Sequence, residues 1–154
     1  MIRSTISLLL ASPAFAVACS CPPLPPVTEA YSSASAVFYG EVVRSRAGSP
    51  LFGSVIYELK VVEDFKGSST AYSVESPNEG PACGVLLETG KRYLIYAVAD
   101  TDGRKLRTSA CMRTRPSAWI QELSVEDELS ILKVISEKKA AEPGATDNPD
   151  DAQR

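Results

Sequence analysis

The sequence predicts a mainly β domain: an OB-fold-like five-stranded barrel with a C-terminal helix, held by two disulfides. Three observations carry this expectation. Runs rich in β-branched and aromatic residues recur through residues 36–110, apolar residues take a helical spacing over 125–138, and all four cysteines lie beyond a leader-like N-terminus. Five short strands and one helix in a chain of this length suit a small, partly open barrel. Composition alone does not separate that barrel from a β-sandwich.

The N-terminus comes first. Met1-Ile2-Arg3 supplies a short positive region, and the largely apolar stretch that follows ends in small residues near Ala18. That is the pattern of a secretory signal peptide over residues 1–18, too short to anchor the chain across a bilayer. Small-x-small cleavage sites stand at Ala14-Phe15-Ala16 and Ala16-Val17-Ala18. Cutting after Ala18 leaves 154 − 18 = 136 residues, the size of one domain with its own core. The expected destination is secreted or periplasmic. An alternative is a lipid anchor on Cys19, since Ala16-Val17-Ala18-Cys19 resembles the pattern before a lipidated cysteine, with Ala16 where leucine is preferred. Lipidation would remove Cys19 from any disulfide and block its amine.

Composition narrows the function. The hydrophobic fraction is 44% and the net charge −3, as in an ordinary globular protein, so nothing points to nucleic acid. There is no histidine, which disfavours Ser-His and Cys-His catalysis. The carboxylates of Glu41, Glu58 and Asp64 are scattered on expected strands without a partner motif, so the chain reads as no enzyme and needs no cofactor. A monomer with no further membrane span is expected.

The four cysteines, Cys19, Cys21, Cys83 and Cys111, are even in number and read as a disulfide framework in an oxidising compartment. Joining Cys19 to Cys21 closes a strained ring, so each should reach forward to Cys83 or Cys111. Bridges over such long loops are worth about 4 kcal/mol each on loop entropy. The competing use is a zinc site with four cysteine ligands, which the Cys19-x-Cys21 spacing and the oxidising compartment disfavour.

Residues 36–43 and 55–62 read as strands, the second alternating so that Val55, Tyr57, Leu59 and Val61 share one face. Between them residues 44–54 hold two glycines and a proline and read as a long connection. Phe65-Lys66-Gly67 ends the second strand, and 71–75 gives a short third. Residues 92–99 are nearly all apolar, a strand buried on both faces, and Asp102-Gly103 turns the chain into a fifth strand over 105–110. Ser124 is placed to cap a helix over 125–138 whose Val125, Leu129, Leu132 and Ile135 form one stripe against the barrel. Residues 140–154 carry prolines, glycine and acids without periodicity and read as a disordered tail, leaving 19–139 as the domain.

Several motifs then combine: Cys19-Ser20-Cys21 with Pro23 and Pro26, Val37-Phe38-Tyr39-Gly40-Glu41-Val42, Phe65-Lys66-Gly67, Cys83-Gly84, Gly90-Lys91-Arg92-Tyr93-Leu94-Ile95-Tyr96, and Cys111. Together they resemble the netrin-like domain of the tissue inhibitors of metalloproteinases. The specific part is a C-x-C at a mature N-terminus with two later cysteines at separations of 83 − 19 = 64 and 111 − 21 = 90. The resemblance implies bridges from Cys19 to Cys83 and from Cys21 to Cys111. It also implies a zinc metalloprotease as partner, whose catalytic zinc is chelated by the backbone amine and carbonyl of Cys19. Ser20 would enter the adjacent pocket beside Cys21, Glu79-Gly80-Pro81-Ala82 would lie alongside, and residues 44–54 would add a rim contact. The further cysteine pair and second domain of the animal inhibitors are missing, and some netrin-like domains inhibit nothing, serving as interaction modules of the cell envelope.

The tail yields a first prediction. Ending the chain at about Glu142 is expected to leave the thermal midpoint unchanged, because residues beyond it offer no apolar face to a core. A loss of several degrees would show that the tail packs.

Overall fold

The computed structural model describes residues 19–116 and 125–141, apart from 52, 68, 79–82 and 104. In chain order the elements are α1 (Val27–Ser33), β1 (Ala36–Ala47), β2 (Ser54–Lys66), β3 (Ala71–Pro77), β4 (Arg92–Ala99), β5 (Leu106–Arg107), β6 (Arg115–Pro116) and α2 (Val125–Ala141). β1 pairs antiparallel with β2 and with β4, β2 antiparallel with β3, β3 parallel with β5, and β5 antiparallel with β4. The circuit β1-β2-β3-β5-β4-β1 is a closed five-stranded barrel, the OB-fold-like arrangement expected. Along the edge of β4 opposite β1, β5 takes Val98 and Ala99 while β6 takes Tyr93 and Leu94. No helix among the described residues is long and apolar enough to cross a membrane.

Two apolar clusters follow from strand alternation. Phe38, Val42, Tyr57, Leu59, Val74, Tyr93 and Ile95 come from four strands and fill the barrel interior. Val37, Leu94 and Tyr96, the alternate positions on β1 and β4, face outwards and meet Val27, Ala30 and Tyr31 of α1 and Leu132 of α2. β4 is therefore buried on both faces from Tyr93 to Ala97, as its unbroken apolar run implies. On β2, Tyr57 and Leu59 are buried and Val55 and Val61 half-buried on the same interior face.

The pairing of β1 with β2 is interrupted three times, and each interruption leaves one residue without a cross-strand partner: Phe65, Val62 and Val43. Such bulges bend and twist a strand, which a barrel of five strands requires. They also redirect side chains. Phe65 joins the outer cluster, while Val62 and Val43 are exposed.

The structure corrects several boundaries. β1 and β2 run on past their expected ends, so the connection is six residues, 48–53, not eleven. Backbone pairing of Arg44, Ser45, Arg46 and Ala47 overrides their polar character, and the Arg44–Glu58 ion pair at 2.9 Å decorates the extension. β5 is confined to Leu106–Arg107; the next residue, Thr108, still donates its N–H to the Glu75 carbonyl at 2.9 Å and turns its hydroxyl onto the Tyr96 carbonyl at 2.9 Å. α2 continues through Ala141, three residues beyond its expected end at 138. The signal segment 1–18, the cap at Ser124 and the rest of the tail lie outside the described residues. β6 and α1 are additions. α1 buries Val27, Ala30 and Tyr31, the i, i+3, i+4 spacing of a helix laid on a core, with buried Ala34 just past its end, and begins directly after Pro25-Pro26.

Glu128 lies on the core-facing side of α2, four residues before Leu132, and is fully buried. Arg113 meets it with two hydrogen bonds, Nε to Oε1 at 2.8 Å and Nη2 to Oε2 at 2.9 Å. The Tyr96 hydroxyl donates to Oε1 at 2.7 Å, and Arg115 Nη2 donates to Oε2. Burial pushes the Glu128 carboxyl up, but the hydrogen bonds from Arg113 and Tyr96 and the two guanidinium charges outweigh it and hold the carboxyl below its ordinary range. Burial and the bond to Glu128 raise the Tyr96 hydroxyl.

Glu128→Gln is expected to cost about 3–5 kcal/mol, because two guanidinium groups stay buried without their counter-charge. A depressed carboxyl contributes stability that is complete above the ordinary glutamate value of 4.5 and is lost as pH falls through the depressed folded value. Urea midpoints between pH 7 and pH 3 should therefore fall more steeply for the native chain than for the Gln variant. Equal slopes would exclude Glu128 as a buried carboxylate.

Candidate functional site

The site begins in a segment with little choice of conformation. Pro22, Pro23, Pro25 and Pro26 fix φ at four of the five positions after Cys21, which keeps the chain extended and lowers its entropy before any contact forms. Ser20, Cys21, Pro22, Pro23 and Leu24 are exposed and Cys19 is half-buried. Two bridges tie this segment down: Cys19 to Cys83 with Cα atoms 5.2 Å apart, and Cys21 to Cys111 with Cα atoms 5.1 Å apart.

The two anchor points are built separately. Cys83 has φ 55°, an uncommon left-handed conformation for a residue with a side chain. Its carbonyl accepts the Ala110 N–H at 2.8 Å, so the two anchors also touch through backbone. The following residues are pinned to the barrel. Val85 N–H donates to the Oγ of buried Ser76 at 2.9 Å, Leu87 enters the interior, and Glu88 N–H donates to the Tyr93 hydroxyl at 2.9 Å. Gly84 passes so close to the chain entering the 79–82 segment that a Cβ there would collide with the carbonyl oxygens of Pro77 and Asn78.

Cys111 sits in a turn closed by Met112 N–H to Ser109 O at 3.1 Å. Two buried threonines hold the ends of that turn. Thr108 and Thr114 share a hydrogen bond of 2.6 Å, both hydroxyls meet the Tyr96 carbonyl, and the Tyr96 N–H donates to Thr114 Oγ1 at 2.9 Å. Arg113, already bound to Glu128, donates through Nη1 to the Pro25 carbonyl at 2.9 Å. One side chain thus links the C-terminal helix to the exposed N-terminal segment.

Of the residues singled out from the sequence, the structure brings Cys19, Ser20, Cys21, Cys83 and Cys111 into one cluster. Glu79, Gly80, Pro81 and Ala82 lie outside the described residues, though both ends of that segment, Asn78 and Cys83, belong to the site. The β1–β2 connection reaches the same place, since Asn78 N–H donates to the Gly53 carbonyl at 3.0 Å. Beside it Ser49, Ser54, Glu75, Lys105 and Arg107 line an open cleft of about 400 Å³. The hydrogen bond from Ser54 is the main cause that lowers the Glu75 carboxyl, with Lys105 and Arg107 adding to it against a cost of burial. Sequence reasoning missed Arg113, Glu128 and the exposed Leu24 and Leu86, each of these leucines three residues beyond a bridged cysteine. The signal for Glu128 was an acid placed on the apolar stripe of its helix, opposite two arginines spaced i, i+2 just after Cys111.

Gly84→Ala is expected to lower stability by about 1–3 kcal/mol, because the added Cβ meets backbone carbonyls of Pro77 and Asn78 and the main chain itself must shift to admit it. Urea unfolding measures the loss, and reduction of the Cys19–Cys83 bridge by a dithiol should quicken with it. An unchanged midpoint would mean the chain on either side of residues 79–82 is not closely packed.

No family model and no curated protein matches the chain.

Proposed function

We propose that the protein is exported, cut before Cys19, and acts as a metalloprotease-inhibitor-like protein that chelates the catalytic zinc of its target through the Cys19 amine and carbonyl. The observation that carries this reading is the double clamp: an exposed, proline-stiffened N-terminal segment joined at its first and third residues to two separately anchored parts of the barrel. Amine and carbonyl on one residue make a five-membered chelate, and an α-amino group loses its proton near neutral pH, so the neutral amine can displace the zinc-bound water. Holding that chelate on a stiff segment before binding removes the ordering cost that a free N-terminus would carry. Ser20, small and exposed, enters the neighbouring pocket of the protease. Leu24 and Leu86, each three residues beyond a bridged cysteine, supply exposed apolar surface on the two bridged segments. The working location is secreted or periplasmic, and the protein acts as a monomer.

Inhibition of a panel of zinc endopeptidases by the chain beginning at Cys19 tests this. One alanine added before Cys19, or acetylation of its amine, should abolish inhibition while the melting temperature stays put, since the amine is displaced or no longer a ligand. Ser20→Gly should weaken inhibition less. Equal behaviour of the native and alanine-extended forms refutes chelation and favours a netrin-like interaction module that inhibits nothing.

A further inference from the structure

We propose that the four cysteines, once reduced, form a tetrahedral thiolate site for a thiophilic d¹⁰ cation, Zn²⁺ being the ion to test. The two bridges are not merely near in sequence register; they are packed together. All four Sγ atoms lie within 4.8 Å of one another, and Cys19 Sγ and Cys21 Sγ, which are not bonded, are 3.9 Å apart. Zinc–sulfur bonds of about 2.3 Å in a tetrahedron place the sulfurs about 3.8 Å from each other. The unbonded pair already has that separation. The bonded pairs need only open, on backbones whose Cα atoms stand 5.2 and 5.1 Å apart.

A second observation is that the ligands are positioned by more than the bridges themselves. Cys83 is held by the Ala110 N–H on its carbonyl and by Val85 on Ser76 two residues on. Cys111 is held by its turn and by the Thr108–Thr114 pair. Cys19 and Cys21 are tethered through Arg113 on the Pro25 carbonyl. Opening both bridges leaves two thiols fixed and two within reach on a short proline-rich segment. Cys21 is exposed and the other three half-buried, so a reductant and then a cation have a path in. The short Cys19-x-Cys21 spacing, unusual for a structural zinc site, is compensated by these anchors.

The chemistry balances with a dithiol as reductant. Each bridge takes two electrons and two protons from one dithiol, which leaves as its cyclic disulfide, so two dithiols yield four thiols. Binding Zn²⁺ then forms four Zn–S bonds and releases the four thiol protons, and affinity rises with pH accordingly. The cation replaces two covalent cross-links with one coordinate centre joining the same three parts of the chain. This proposal is independent of protease inhibition, which uses the oxidised clamp.

The test uses the full chain, reduced by a dithiol without oxygen, separated from it and titrated with Co²⁺ and then Zn²⁺. The expected result is one Co²⁺ per chain with the intense visible bands of tetrahedral geometry and sulfur charge transfer, displaced by one equivalent of Zn²⁺, with all four thiols protected from alkylation. Cys21→Ser should lower affinity by at least about tenfold and remove one ligand's share of the charge-transfer band. Where the reduced chain unfolds without metal, Zn²⁺ should restore the native circular dichroism. Fewer than four protected thiols, a weak six-coordinate cobalt spectrum, unchanged affinity in Cys21→Ser, or failure of Zn²⁺ to refold an unfolded reduced chain would each overturn the proposal.

Discussion

The ion pair between Glu128 and Arg113 is the contact on which the remaining architecture converges. It carries α2 onto the outer face of the barrel, and the same guanidinium reaches Pro25 at the other end of the chain. A pair so deeply buried is weak evidence for raw stability, because desolvation offsets much of its attraction. Its value here is positional. A carboxylate with three donors around it has one arrangement that satisfies it, so the helix, the turn bearing Cys111 and the N-terminal segment are set relative to each other by a single group. Apolar packing of Leu132, with Leu129 and Ile135 beside it, holds α2 to the barrel without that directional requirement.

The barrel supplies a different kind of constraint. Closure through the β1–β4 pairing uses both edges of the first strand, and the three bulges between β1 and β2 provide the bending. Loops at one end then carry the chemistry, as Cys83 and Cys111 both project from connections rather than strands. A rigid frame under conformationally restricted loops is the common arrangement for binding sites. The left-handed Cys83 fits that arrangement, since an uncommon backbone conformation persists only where its surroundings over-determine it.

Much of this was legible beforehand, for physical reasons that differ by element. β4 announced itself because both of its faces are buried, which leaves no polar alternation. β2 was clear because its interior face repeats strictly at Val55, Tyr57, Leu59 and Val61. The extension of β1 through Arg44 to Ala47 was hidden, since an exposed hairpin is held by backbone pairing that side-chain pattern does not report. α1 is only seven residues long, and its spacing of Val27, Ala30 and Tyr31 is easily lost beside the prolines that precede it. In the site, the cysteines were visible as chemistry, whereas Glu128 and Arg113 were not. A charge pattern reads as a solvated face until the fold places two opposite charges together inside.

The separations of the two bridges also impose an order in time. Cys19 and Cys21 leave the ribosome first, and 83 − 21 = 62 residues must follow before either has a native partner. At synthesis rates of about 5–20 residues per second that is on the order of 3–12 s during which their nearest sulfur is each other's. Glu128, which steadies the Cys111 turn through Arg113, emerges later still. Until Cys83 emerges the wrong Cys19–Cys21 pair is the one within reach, and a thiol-oxidising catalyst acting early on the nascent chain would have to be followed by one able to reshuffle the pairing.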